Sequence, residues 1–273
     1  MSALQQLRTM TTIVADTGDL AAIARLKPID ATTNPSLITK ALIHPDNQGM
    51  LSETMSRHNG DVDAVIDALT IQVGCDILEL IEGRVSTEVD ARLSYDTQAT
   101  IDKALAFMDA YQKAGVDSER VLIKMAATWQ GIEAARYLET QNIHCNLTLL
   151  FGQHQAIACA DAGVTLISPF VGRILDWQKR QQSRQNVPAS DDMGVQSVKL
   201  IYQYYKQHGY ETQVMGASFR STEQILALAG CDLLTIAPNL IDELAAMDTE
   251  VTRQLSPSMS MDMKAMTQVS LTH

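Results

Sequence analysis

The stretch Val121-Leu122-Ile123-Lys124-Met125-Ala126-Ala127-Thr128 is an apolar run with a single charge near its middle. Apolar residues stand close on both sides of the lysine, so the pattern predicts a strand, Val121–Ala126, buried on both faces as parallel strands between helices are. Trp129–Thr140 follows with helical spacing, and Ile143–Leu149 is a second β-branched and apolar run. Strand, helix, strand implies a parallel pair, because parallel strands need a crossover. The same rhythm extends both ways. Further strands are predicted over Thr11–Ala15, Asp30–Thr33, Ser86–Val89, Thr165–Pro169, Gln213–Ala217 and Leu233–Ala237. Helices are predicted over Thr97–Ala114, Gln153–Ala162, Val195–His208, Thr222–Ala229 and Leu240–Leu255, with Gly163, Gly209 and Gly230 placed as C-cap glycines.

Eight such units close into an α/β fold, the (β/α)8 or TIM barrel, whose active site lies at the C-terminal strand ends. The rival is an open doubly wound sheet. That fold normally carries a glycine-rich phosphate turn after its first strand, and Asp16-Thr17-Gly18-Asp19 is not GxGxxG. The expected organisation is one barrel domain over residues 1–255, with a helical insertion between strands two and three that includes Val62–Ile81. A polar loop is expected over Lys179–Asp192 and an irregular tail over residues 256–273.

The chain has 273 residues, 46% hydrophobic and 19% charged, with a formal net charge of −11. A surface this acidic repels phosphate backbones and argues against nucleic-acid partners. The apolar runs are too short to span a bilayer, and the N-terminus has no signal-peptide core, so a cytoplasmic protein without a membrane partner is expected. Cys75, Cys145, Cys159 and Cys231 form no CxxC pair and read as small buried hydrophobes. The histidines lack metal spacing, and His144 beside Cys145 points to the opposite face of its strand, so no metal is expected.

Lys124 is the chemical oddity. A buried ammonium is costly unless paired, and burial lowers a lysine's pKa and so favours a nucleophile. The other reading is a strand-end lysine that snorkels to water. Polar residues gather at the other strand ends: Asp16, Asn34, Glu88, then Asn146 with Thr148, Ser168 with Phe170, and Ser218 with Arg220. In each pair the side chains are two apart and share a strand face. A desolvated lysine among carboxylates and hydroxyls, with no cofactor motif, suggests Schiff-base chemistry on a carbonyl substrate, with Asp16 and Glu88 serving different proton transfers. Arg173 and Arg220, after late strands, suit a phosphate; surface arginines are the alternative.

Several blocks resemble transaldolases: Val14–Asp19, Asp30–Ser36, Ser86–Arg92, Ile123-Lys124, Thr128–Gly131, Asn146–Phe151, Ser168–Ile174 and Met215–Arg220. They run in order from about Leu7 to Leu255 and are most similar to the larger bacterial type. The resemblance implies a class I aldolase-type mechanism without a cofactor. Lys124 would form the imine, and Asp16 would take the proton that triggers C3–C4 cleavage. Glu88 would shuttle protons through a water held by Thr148. Asn34, Asn146 and Ser168 would hold the hydroxyls of the three-carbon unit, and Arg173, Ser218 and Arg220 would bind the phosphate of the sugar phosphate. Phe170 fits transaldolases better than fructose 6-phosphate aldolases, which carry tyrosine there. The implied partners are sedoheptulose 7-phosphate, fructose 6-phosphate, glyceraldehyde 3-phosphate and erythrose 4-phosphate in the pentose phosphate pathway, with a homodimer as the assembly. Members of this type continue into a C-terminal helical extension that this sequence lacks. Two functions therefore stay open: an active transaldolase, and a catalytically weak fragment acting as a binding or assembly partner. A plain aldolase that releases dihydroxyacetone is a third.

Overall fold

A computed structural model describes residues 1–43 and 48–258. Its strands are β1 Thr12–Asp16, β2 Asp30–Thr32, β3 Val85–Glu88, β4 Val121–Ala126, β5 Cys145–Leu150, β6 Leu166–Pro169, β7 Gln213–Gly216 and β8 Leu233–Ile236. They form a closed parallel barrel in sequence order, β1 through β8. Every residue of β4 is buried, Lys124 included, as the apolar residues on both sides of the lysine required. The barrel and the helical insertion expected from sequence are both present, the latter as α3 Pro35–Leu42, α4 Gln48–Arg57 and α5 Val62–Leu78. No helix among the described residues is long and apolar enough to cross a membrane.

Packing divides the chain into two compact units. The first is Ile13–Asn146. Here Asp19, Asp61, Asp96 and Thr128 accept hydrogen bonds from first-turn amides of α2 Leu20–Leu26, α5, α6 Thr97–Lys113 and α7 Trp129–Thr140, the usual compensation for orphaned helix donors. Thr87 turns away from the strand face shared by Ser86 and Glu88, and its hydroxyl meets the hydroxyl of buried Tyr111 on α6. Gly74 on α5 makes that possible: a Cβ there would stand 1.8 Å from the tyrosine oxygen.

The second unit is Met1–Thr12 with the chain from Leu147 onward. It holds α1 Ala3–Leu7, α8 Gln153–Asp161, α9 Gly172–Gln182, α10 Met193–His208, α11 Thr222–Leu226 and α12 Pro238–Ala246. Three expectations fail here. The polar segment from Lys179 begins inside α9, which continues to Gln182 before the loop starts. The helix expected over Leu240–Leu255 stops at Ala246. Beyond it the chain is extended and pinned, with Met247 accepting from Ala3 and the amides of Gln254 and Leu255 donating to Ala229. Val251 and Leu255 are buried in that extended segment, so their helix-like spacing serves tertiary packing instead. Gly230 is not a helix cap either, since α11 ends at Leu226; its φ of 100° and its lack of a Cβ let the Leu255 carbonyl close on it. Of the expected tail, residues 259–273 lie outside the described residues.

Candidate active site

Lys124 lies in the middle of the buried β4 strand, its side chain 10% exposed. Strand register sets it directly opposite Glu88 of β3. Its Nζ stands 3.0 Å from Glu88 Oε2 and donates to the Thr33 carbonyl at 3.1 Å. The ammonium does not snorkel; a carboxylate and a backbone oxygen compensate its burial. Thr33 acts through its backbone, so no side-chain pattern could have pointed to it.

Asp16 ends β1 and accepts from the Thr32 hydroxyl at 3.2 Å. Burial pushes its carboxyl above the ordinary aspartate range, and the nearby Lys124 charge and the Thr32 bond only partly oppose that. A carboxylate in this condition is a stronger base than one in water. Asn146 Nδ2 donates to Ser86 Oγ at 3.0 Å, and both side chains are fully buried. Ser86 escaped the sequence argument, although it shares a strand face with Glu88 two residues on. Asn34 Oδ1 accepts from the Leu37 amide at 3.0 Å and caps α3, which leaves its Nδ2 as the group able to meet a ligand. The Ile13–Asn146 unit thus brings Asp16, Glu88 and Lys124 into electrostatic contact, with Asn34 one residue beyond Thr33.

The other expected residues fall in the second unit. Thr148 on β5 is buried, and its hydroxyl has no hydrogen-bond partner among the described residues. Such an orphan calls for a water or a ligand. Ser168 is buried near the end of β6, and the Phe170 ring meets Phe151 edge-on at 5.4 Å. Ser218 follows β7 with a φ of 63°, a left-handed conformation uncommon outside glycine and typical of functional turns. Arg220 Nη1 donates to the Ser218 carbonyl at 3.1 Å and to its hydroxyl at 3.3 Å. Gly172, the first residue of α9, lies under this turn; a Cβ there would stand 2.2 Å from the Ser218 carbonyl oxygen and 2.8 Å from Arg220 Nη1. Arg173 is exposed at the start of the same helix. A helix N-terminus with two guanidinium groups suits a phosphate.

Asp176 is a further residue that the sequence argument missed. It takes both a 2.7 Å and a 3.3 Å contact from the Arg220 guanidinium, which holds its carboxyl below the usual range. The available signal was its position one helical turn after Arg173. His144 accompanies Glu139 and Glu119, each at 3.3 Å, rather than Cys145.

The family model described as Transaldolase/Fructose-6-phosphate aldolase matches residues 13–273. The chain belongs to the transaldolase/fructose-6-phosphate aldolase family. A transaldolase of Methylococcus capsulatus is 56% identical over 269 residues, covering 95% of this chain and 82% of that protein. One of Acidobacterium capsulatum is 58% identical over 264 residues, covering 93% and 79%. One of Thermosynechococcus vestitus is 55% identical over 270 residues, covering 95% and 69%. At this similarity over nearly the whole chain, the function is that of a bacterial transaldolase, an enzyme.

Proposed function

We propose that this transaldolase moves a dihydroxyacetone unit from sedoheptulose 7-phosphate or fructose 6-phosphate to glyceraldehyde 3-phosphate or erythrose 4-phosphate, through an imine on Lys124. The observation that carries this reading is the buried Lys124 Nζ held 3.0 Å from the Glu88 carboxylate. An ammonium must lose a proton before it can attack a carbonyl, and Glu88 is within direct reach of that proton. The amine adds to the keto carbon, and Glu88 then returns a proton to the carbinolamine hydroxyl so that it leaves as water. Thr148, whose buried hydroxyl lacks a partner among the described residues, holds the relaying water. Asp16, made more basic by burial, takes the C4 hydroxyl proton as the C3–C4 bond breaks. The electron pair stays on the three-carbon unit as an enamine until the acceptor aldehyde arrives.

Asn34, Asn146 and Ser168 hold the hydroxyls of the retained unit, and Phe170 lines the pocket. Arg173, Ser218 and Arg220 hold the phosphate. The same reading makes the enzyme a cytoplasmic homodimer of the pentose phosphate pathway. Incubation with fructose 6-phosphate, borohydride reduction and peptide mapping test the mechanism. An adduct on Lys124, lost in Lys124→Met, is expected; an adduct elsewhere, or none on folded protein, overturns it. Dihydroxyacetone released without an acceptor would identify a plain aldolase instead.

A further inference from the structure

A cavity of about 550 Å³ lies within the Ile13–Asn146 unit, among α3, α5, α6 and the ends of β2 and β3. Neither Asp16, Lys124 nor Asn146 lines it; the substrate-binding candidate Asn34 does, and so do Thr33 and Glu88. These two residues hold the Lys124 ammonium, by a carbonyl and a carboxylate respectively. The cavity therefore reaches the nucleophile through the nucleophile's own partners. Its floor mixes apolar Ile38 and Phe107 with the Thr70 hydroxyl, and Ile66 and Ala91 stand exposed at its rim. Two ion pairs, Arg92 with Asp63 and Lys103 with Asp67, cross from α5 to the segment after β3 and to α6. The volume is far above the roughly 15 Å³ that one buried water needs, and the threonines and Glu88 supply the polar partners a water requires.

Imine chemistry moves water in both directions. Each condensation of the Lys124 amine with a ketone expels one water, made from the carbonyl oxygen and two protons, and each hydrolysis consumes one. Substrate bound at the strand ends would cover the barrel mouth, whereas the rim beside Ile66 and Ala91 lies exposed. We propose that the cavity is a solvent duct, through which the expelled water leaves and the hydrolytic water enters past Glu88. This rests on the Schiff-base mechanism above and assigns to the helical insertion a part in it.

The test follows the oxygen. Fructose 6-phosphate carrying heavy oxygen at C2 is turned over with an acceptor in ordinary water, and label retained in the product ketose is measured by mass spectrometry. Free exchange through the duct strips the label. Ile66→Trp and Ala91→Trp plug the rim at two independent exposed positions. A severalfold rise in retained label in either, with the borohydride adduct on Lys124 unchanged, supports the duct. Retention equal to wild type in both, with the same adduct, overturns it. Absence of any adduct in the unsubstituted enzyme would instead remove the mechanism on which the duct rests.

Discussion

Replacing Lys124 by methionine removes one partner of a buried ion pair while keeping most of the side-chain volume. Glu88 then faces the void alone, its side chain 16% exposed, and the Thr33 carbonyl loses its donor. Breaking a buried pair this way costs about 3–5 kcal/mol, and the residual exposure of both groups places this case near 2–3 kcal/mol. For a chain of this size, that corresponds to a fall in Tm of roughly 5–10 °C. Restoring apolar neutrality with Glu88→Leu in the same protein recovers most of the loss, because a well-packed hydrophobic pair substitutes for an ionic one at little net cost. Thermal and urea melts of the two single variants and the double variant complete the cycle, and a coupling of about 3 kcal/mol, at the upper end for residues in contact, is expected. Single-variant stability equal to wild type, with no coupling, would refute the claim that the ammonium is buried and held by Glu88.

Asp16→Asn abolishes transfer yet raises thermal stability at neutral pH. The folded-state pKa of Asp16 is raised, so ionised Asp16 weakens the fold; that cost is absent below the ordinary value of 3.8 and complete above the folded value. The stability gain should therefore shrink on acidification, and a gain growing as pH falls would contradict the assignment. Gly172→Ala forces the Ser218 turn and Arg220 aside, since the new Cβ has no room. We expect KM for phosphorylated donors to rise about tenfold, as loss of a charge-assisted hydrogen bond implies, with little change for unphosphorylated ones. Native protein should react with a thiol reagent at Cys75 alone: Cys145, Cys159 and Cys231 are buried, and burial pushes the Cys159 and Cys231 thiols up to about 12. Rapid modification of a second thiol before unfolding would contradict this.

The barrel was legible because hydrophobic runs and helical spacing alternate locally, and β4 and α7 are found where their patterns predict them. The failures occur where distant packing overrides local pattern. Val251 and Leu255 continue a helical spacing from Leu240, but the extended chain there docks on Ala229. The α9 helix buries only Gly172, Leu175 and Gln178, too little apolar signal to announce itself. At the site, Lys124 stood out because a charge interrupts an apolar strand. Its pairing with Glu88 depends on strand register, which a sequence of isolated strands does not specify. Asp176 lies in that unannounced helix, and its part in the site depends on the chain bringing Arg220 across to it.

The direct opposition of Glu88 and Lys124 across β3 and β4 makes their spacing a property of the ladder rather than of the loops. Insertions, deletions or exchanges in the turns above the strands can therefore redesign acceptor choice while the distance between proton carrier and nucleophile stays constant. Slippage of either strand would separate the pair and bury an unmatched charge, so the reaction's own residues also police the assembly of the sheet. Variation in this scaffold is confined where it is harmless and open where it is useful.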